Sequence, residues 1–247
     1  MQSSGMASAT ESAYHKEASH RDYEGHPVVY AILKITISLL MRLVYRYKVT
    51  RLAPFPQSGP VIVVVNHLHL LDPGVIAPVV PRRVVTFAAD KWRRKPLSRW
   101  FLNSAGVIFV KRGEVDRKAL RACLNVLRDG GVLAVAPEGT RSEYSGLQPA
   151  KAGVAYLAAH TRAQIVPIAH TGVEKLAEWK RLKRPTCSVV VGEPFRLPEV
   201  ESGDLDSEKL REFTDLIMVR LGLLLPEEYR GVYKEQIAAM ESREMQS

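Results

Sequence analysis

Apolar positions along this 247-residue chain fall into short β-branched runs that alternate with longer stretches of helical period. The densest run, Val61-Ile62-Val63-Val64-Val65, has no polar interruption and predicts a strand buried on both faces. Further strands are expected over 47–52, 84–88, 107–110, 132–136, 165–169 and 188–191. Between them, helical spacing predicts helices over 73–80, from Pro96 onward, over 116–128 with Gly130-Gly131 as its stop, over 151–161 and over 205–225. Strands alternating with helices imply an α/β fold with a single mixed central sheet flanked by helices. Four segments are expected. A disordered tail spans 1–26, rich in Ser, Ala, Glu and His. A separate helix over 27–47 precedes a globular domain over 48–225, and an extension follows over 226–247. The tail lacks a charged segment followed by an apolar core, so no signal peptide is expected.

The 27–47 helix opens at Pro27, a favoured first helical residue. It is strongly apolar, yet Lys34, Ser38, Arg42 and Arg46 recur every four residues and form one polar stripe. Cations inside the run argue against a simple span, for which about 20 mostly apolar residues are needed. Two readings follow. The helix lies in a membrane interface, with Lys and Arg reaching headgroups and Ile, Leu and Met entering lipid, or it packs on the core like any amphipathic helix.

Charge sharpens this picture. The net charge is +9, and it is unevenly placed: residues 82–121 carry twelve Lys/Arg against three Asp/Glu, whereas 199–247 carry six against twelve. A central basic excess implies an anionic partner, such as phospholipid headgroups or a phosphorylated substrate. The cluster Lys91-Trp92-Arg93-Arg94-Lys95 suits a membrane–water interface or any basic surface equally. Nucleic acid is not expected, because no binding-module signature accompanies the charge. The two cysteines, Cys123 and Cys187, are far apart inside apolar patterns and read as core residues in a reducing compartment.

Candidate chemistry begins where the Val61–Val65 run stops. Asn66 breaks the strand, His67 follows, and Asp72 comes five residues after His67 at the start of a turn or helix. Open α/β sheets place ligands at such strand ends. Asp72 can fold back onto one ring nitrogen of His67 and leave the other as a general base. Backbone amides after His67 are candidate donors for an oxyanion. His67, His69 and Asp72 also form a loose metallohydrolase-like set, but Pro73 stands where a further ligand is needed, so no metal is expected.

Three further strand ends carry unusual residues: Gly106-Val107-Ile108-Phe109-Val110-Lys111-Arg112, Pro137-Glu138-Gly139-Thr140-Arg141-Ser142, and Val166-Pro167-Ile168. Together with Asn66-His67 and Asp72, in this order, they resemble the four motifs of the glycerolipid acyltransferases, and most closely the 1-acyl-sn-glycerol-3-phosphate (lysophosphatidate) branch. The resemblance covers roughly residues 45–195, with Ala136 replacing a more usual aromatic. It makes 48–225 an acyltransferase domain acting in phospholipid biosynthesis. His67 would be the base and Asp72 its orienting acid. Arg112, beside Lys111 and after the turn at Gly106, would contact the acceptor's phosphate. Glu138, Gly139, Thr140 and Arg141 would form the rest of the acceptor site, with Arg141 a second phosphate contact.

Glu138 is open to two uses, accepting a hydrogen bond from the glycerol hydroxyl or holding an arginine. Lys151 could add charge to the same pocket, and Pro167 would shape an acyl-binding wall. The implied partners are lysophosphatidate, an acyl donor (acyl-CoA or acyl-carrier protein) and an anionic phospholipid membrane, with no cofactor. The implied location is peripheral or monotopic, on the cytoplasmic face. Competing readings keep the family and change the acceptor to glycerol 3-phosphate, another lysophospholipid or an acylated amino acid, or make the chain a non-catalytic membrane- or anion-binding protein.

Overall fold

A computed structural model describes residues 26–110, 116–142, 146–200 and 204–244. The 1–25 tail lies outside the described residues, as do Lys111 and Arg112.

Among the described residues the first element is helix α1 (Pro27–Val44), followed by strand β1 (Arg46–Arg51) and β2 (Val61–Val65). Next come the short helix α2 (Asp72–Ile76), β3 (Val84–Val85), β4 (Phe87–Ala89), α3 (Pro96–Ala105) and β5 (Ile108–Val110). Helix α4 (Arg117–Arg128), β6 (Val132–Val135), α5 (Gly153–Thr161), β7 (Gln164–Thr171) and β8 (Thr186–Val191) complete the sheet region. Helices α6 (Ser207–Gly222) and α7 (Lys234–Glu244) close the chain.

Six strands form one mixed sheet in the order β1-β8-β7-β2-β6-β3. β2 lies between β7 and β6 and is parallel to both. All five of its residues are buried, as its unbroken apolar sequence requires of a strand covered on two faces. Among the described residues, only the β7/β8 ladder of this sheet is antiparallel. The expected 84–88 strand is two pieces: β3 joins the main sheet, whereas β4 pairs with β5 in a separate two-stranded sheet. Pattern alone could not show that the chain changes sheets at Thr86.

Caps fix the helix ends. The Asp116 side chain accepts from the amides of Lys118 and Ala119 and starts α4, and Asp206 caps α6 through Lys209 N. Gly106 ends α3 in the left-handed conformation, φ 70°, and turns the chain into β5.

Residues 226–244, within the expected extension, pack on the domain. Tyr229, Tyr233 and Ile237 are buried in the common core. Leu147 N donates to Tyr229 O at 3.0 Å, and Tyr233 Oη accepts from Ala150 N at 3.0 Å. These contacts pin the loop that follows β6, so the C-terminal residues help to hold the site.

Helix α1 turns its apolar side outward, as the interfacial reading expects, instead of packing it on the core. Within its polar stripe, Lys34 reaches the domain, with Nζ donating to Val80 O at 2.6 Å and Pro81 O at 3.3 Å, whereas Ser38 Oγ donates within the helix to Lys34 O at 2.6 Å. The stripe is thus consumed in satisfying backbone carbonyls, and only Arg42 of its helical members is exposed. The outward face is Val28, Ile32, Ile35, Leu39 and Leu43, all exposed. By length and composition the helix could cross a membrane. An apolar face of this size is unusual on a soluble surface.

Candidate active site

Because β2, β6 and β7 are parallel, their C-terminal ends open on the same edge of the sheet. His67 leaves that edge two residues after β2. Asp72, the first residue of α2, turns back, and its Oδ2 lies 2.6 Å from His67 Nδ1. The same oxygen accepts the Leu68 amide at 3.0 Å, and Oδ1 accepts the His69 amide at 2.9 Å. The carboxylate is only 3% exposed, and a buried carboxylate without partners is costly by several kcal/mol. Three hydrogen bonds offset that cost and fix the oxygen that meets His67. When Asp72 accepts the Nδ1 proton, Nε2 retains its lone pair. The His67 side chain is 21% exposed, and among the described residues nothing bonds Nε2.

This geometry corrects one expectation. The Leu68 and His69 amides are held by Asp72 and so are not the oxyanion donors that the sequence suggested.

Glu138 also differs from both uses expected of it. It is 2% exposed and each of its oxygens accepts a backbone amide, His67 N at 2.8 Å and Gln148 N at 2.9 Å. Burial pushes its carboxyl up to about 7, against the opposing pull of the two amides and of the His67 ring. The side chain is therefore a clamp between the loop after β6 and the backbone of His67.

Ser142 N donates to His67 O at 2.9 Å, so both backbone groups of His67 are tied to the 138–142 loop. That tie places Gly139, Thr140 and Arg141, all exposed, at the rim beside His67. Gly139 takes φ 67° in this turn, and a Cβ there would come within 3.2 Å of Lys151 Nζ. Lys151 therefore lies against the loop at Gly139.

The other expected residues are placed less closely. Gly106 makes the turn into β5, but Lys111 and Arg112, which follow that strand, lie outside the described residues. Pro167 is buried inside β7 opposite Val64. It belongs to the sheet core rather than to an open acyl-binding wall. Its missing N–H is tolerated because the β7/β8 ladder starts one residue later, at Ile168.

Two supports went unread in the sequence. Asn66 and His170 bridge the ends of β2 and β7: Asn66 Nδ2 donates to His170 O at 2.8 Å, and His170 N donates to Asn66 Oδ1 at 2.9 Å. His170 Nε2 lies 3.0 Å from Asn66 O, which only a protonated Nε2 can satisfy. The same nitrogen is 3.6 Å from Asp72 Oδ1, behind the His67–Asp72 pair. Burial lowers the basicity of His170, opposed by the charge of Asp72. A polar residue closing a buried strand was the available signal.

The profile of the Acyltransferase family matches residues 46–171, just over half of the chain and the whole of this constellation. The chain belongs to the acyltransferase family. Membership of this family makes it an enzyme of acyl transfer. Among curated relatives it is similar to 1-acyl-sn-glycerol-3-phosphate acyltransferase alpha of Homo sapiens, 28% identical over 197 residues that span 75% of this chain and 67% of that protein. It is also similar to 1-acyl-sn-glycerol-3-phosphate acyltransferase of Cocos nucifera, 25% identical over 63% of this chain and 51% of that protein. The chain thus spans about half to two thirds of the length of these relatives. In fold it is similar to the crystal structure of the 1-acyl-sn-glycerophosphate (LPA) acyltransferase PlsC from Thermotoga maritima. The TM-score is 0.59 at 20% identity, covering 86% of this chain and 79% of that one.

Proposed function

We propose that this acyltransferase moves a fatty acyl group from a thioester to the 2-hydroxyl of 1-acyl-sn-glycerol 3-phosphate, forming phosphatidate. The observation that carries this reading is the 2.6 Å contact between His67 Nδ1 and Asp72 Oδ2 at the open edge of the sheet. His67 Nε2 takes the proton of the acceptor hydroxyl as its oxygen attacks the thioester carbonyl carbon. Asp72 holds the ring and stabilises the imidazolium, as the acid of a Ser-His-Asp triad does, with the substrate alcohol in the place of serine. The tetrahedral intermediate then collapses, the C–S bond breaks, and the departing thiolate receives the proton from His67. No acyl-enzyme is formed and no metal or cofactor takes part. Arg141, with Lys111 and Arg112, holds the acceptor's phosphate through planar or point-charge contacts. The donor is acyl-CoA or acyl-carrier protein. The names of the relatives support the acceptor. The enzyme works at the surface of an anionic membrane, on its cytoplasmic side; the exposed apolar face of α1 supports the membrane part of this reading.

The test is acyl transfer from a labelled thioester, offered as either carrier, comparing lysophosphatidate with glycerol 3-phosphate and other lysophospholipids, for the parent and His67→Ala. Transfer to lysophosphatidate that disappears in the variant is expected. Transfer to another acceptor alone would overturn the substrate, and equal rates in both proteins would remove His67 from the mechanism.

A further inference from the structure

Between β7 and β8 the chain leaves the sheet in a 3-10 segment, Val173–Arg181, that the acyl-transfer chemistry does not use. Its tip is chemically odd for a surface loop. Leu182 is 94% exposed and adopts a positive φ of 55°, a conformation that bulky residues rarely take. Trp179 is 42% exposed although it is large and apolar. Around these two stand Lys180, Arg181, Lys183 and Arg184, all exposed.

The loop is fastened to the end of α1. Trp179 Nε1 donates to Val44 O at 2.8 Å, and Arg184 Nη2 donates to Tyr45 O at 2.8 Å and also to Arg42 O. The exposed Leu43 is one residue from the carbonyl that Trp179 holds. The apolar outer face of α1 thus runs into a loop that carries an indole, an outward leucine and four cations.

We propose that the 179–184 loop is a second membrane-docking element, which sets Leu182 and the edge of Trp179 into the lipid interface while Lys180, Arg181 and Lys183 meet anionic headgroups. This rests on the reading of the chain as a membrane-surface enzyme and adds to it a site 135 residues from α1 in sequence, as measured from Val44 to Trp179. Charge complementarity selects the occupant. An apolar tip ringed by like charges suits an anionic bilayer, where cations at the surface each strengthen binding and an indole is stable at the headgroup level. It suits a protein groove less, because the three exposed cations Lys180, Arg181 and Lys183 would then need acidic partners.

The test is flotation of the full chain with phosphatidylcholine vesicles and with phosphatidylcholine–phosphatidylglycerol vesicles, using the parent, Leu182→Asn, and Lys180→Glu with Arg181→Glu. Asparagine tolerates the left-handed conformation better than leucine, so the first variant keeps the loop's shape. Acyl transfer to a short-chain, water-soluble acceptor reports that the site is intact in each variant. The expected result is a loss of roughly tenfold or more in partition to anionic vesicles for both variants, with transfer to the soluble acceptor retained and with raised salt weakening the parent's binding. Parent binding to anionic vesicles that neither variant weakens would overturn the loop's role and leave the α1 reading in place. A parent that floats with no vesicle would overturn both.

Discussion

Replacing Asp72 with asparagine tests the acid–base reading with little change in shape. Asp72 accepts three hydrogen bonds, from His67 Nδ1 at 2.6 Å, Leu68 N at 3.0 Å and His69 N at 2.9 Å. Asparagine offers one acceptor oxygen and one donor NH2, so no orientation reproduces the set. With NH2 in the place of Oδ2, it faces the Leu68 amide and forces His67 into the tautomer protonated on Nε2, which is no longer a base. With NH2 in the place of Oδ1, it faces the His69 amide, and the imidazolium loses its counter-charge. Either way one buried amide meets a donor, at a cost of about 1–3 kcal/mol. For a chain of this size that lowers the melting midpoint by roughly 2–12 °C. The catalytic loss is larger, about 10⁴-fold, as for the same change in a Ser-His-Asp triad. That ratio corresponds to ~5.4 kcal/mol of barrier. The assay is release of free thiol from an acyl thioester in the presence of lysophosphatidate, read well below the variant's own midpoint. A folded Asp72→Asn protein within about tenfold of the parent rate would show that Asp72 does not set the tautomer, and the mechanism would fall.

His67→Ala is expected to abolish transfer while leaving the melting midpoint within a few degrees, since the ring is partly open to solvent; a midpoint collapse would make His67 structural. Glu138→Gln is expected to slow transfer without touching substrate, because Gln can accept only one of the amides of His67 and Gln148. It also has a pH signature. The folded protein raises Glu138 from 4.5 to about 7, so the folded state holds the extra proton in that window, and the stability this group contributes is lost as pH rises through about 7. The full difference is on the order of 3 kcal/mol, and urea denaturation between pH 5 and 8 should show a shallower pH slope in Glu138→Gln than in the parent. Cys123 and Cys187 are buried and free, and burial pushes both thiols up to about 12. Neither should react with iodoacetamide in the native protein at pH 7.5, and both should react in denaturant, as read by mass. Labelling of the native protein would contradict the packing of α4 and β8.

Local order was legible wherever the sequence carried its own instructions. Unbroken apolar runs marked β2 and β6 because parallel strands bury both faces, and Asp116 with Gly130-Gly131 bracketed α4 because helix ends need caps. The His67–Asp72 pair was legible as well, because the five-residue spacing and its turn chemistry let the carboxylate fold back onto the ring. Tertiary structure decided what each polar group faces. Glu138 looked like a ligand for substrate or arginine, yet its partners are amides at positions 67 and 148, chosen by how the β6 loop crosses β2. His170 gained its place behind Asp72 only because β7 pairs with β2 in one register. Lys34 turned inward because bare carbonyls at Val80 and Pro81 lie within its reach, and that rotation left the apolar side of α1 outside. Periodicity specifies that a helix has two faces. Which face meets the domain depends on the donors and acceptors that other segments leave unpaired, and those exist only once the chain has folded.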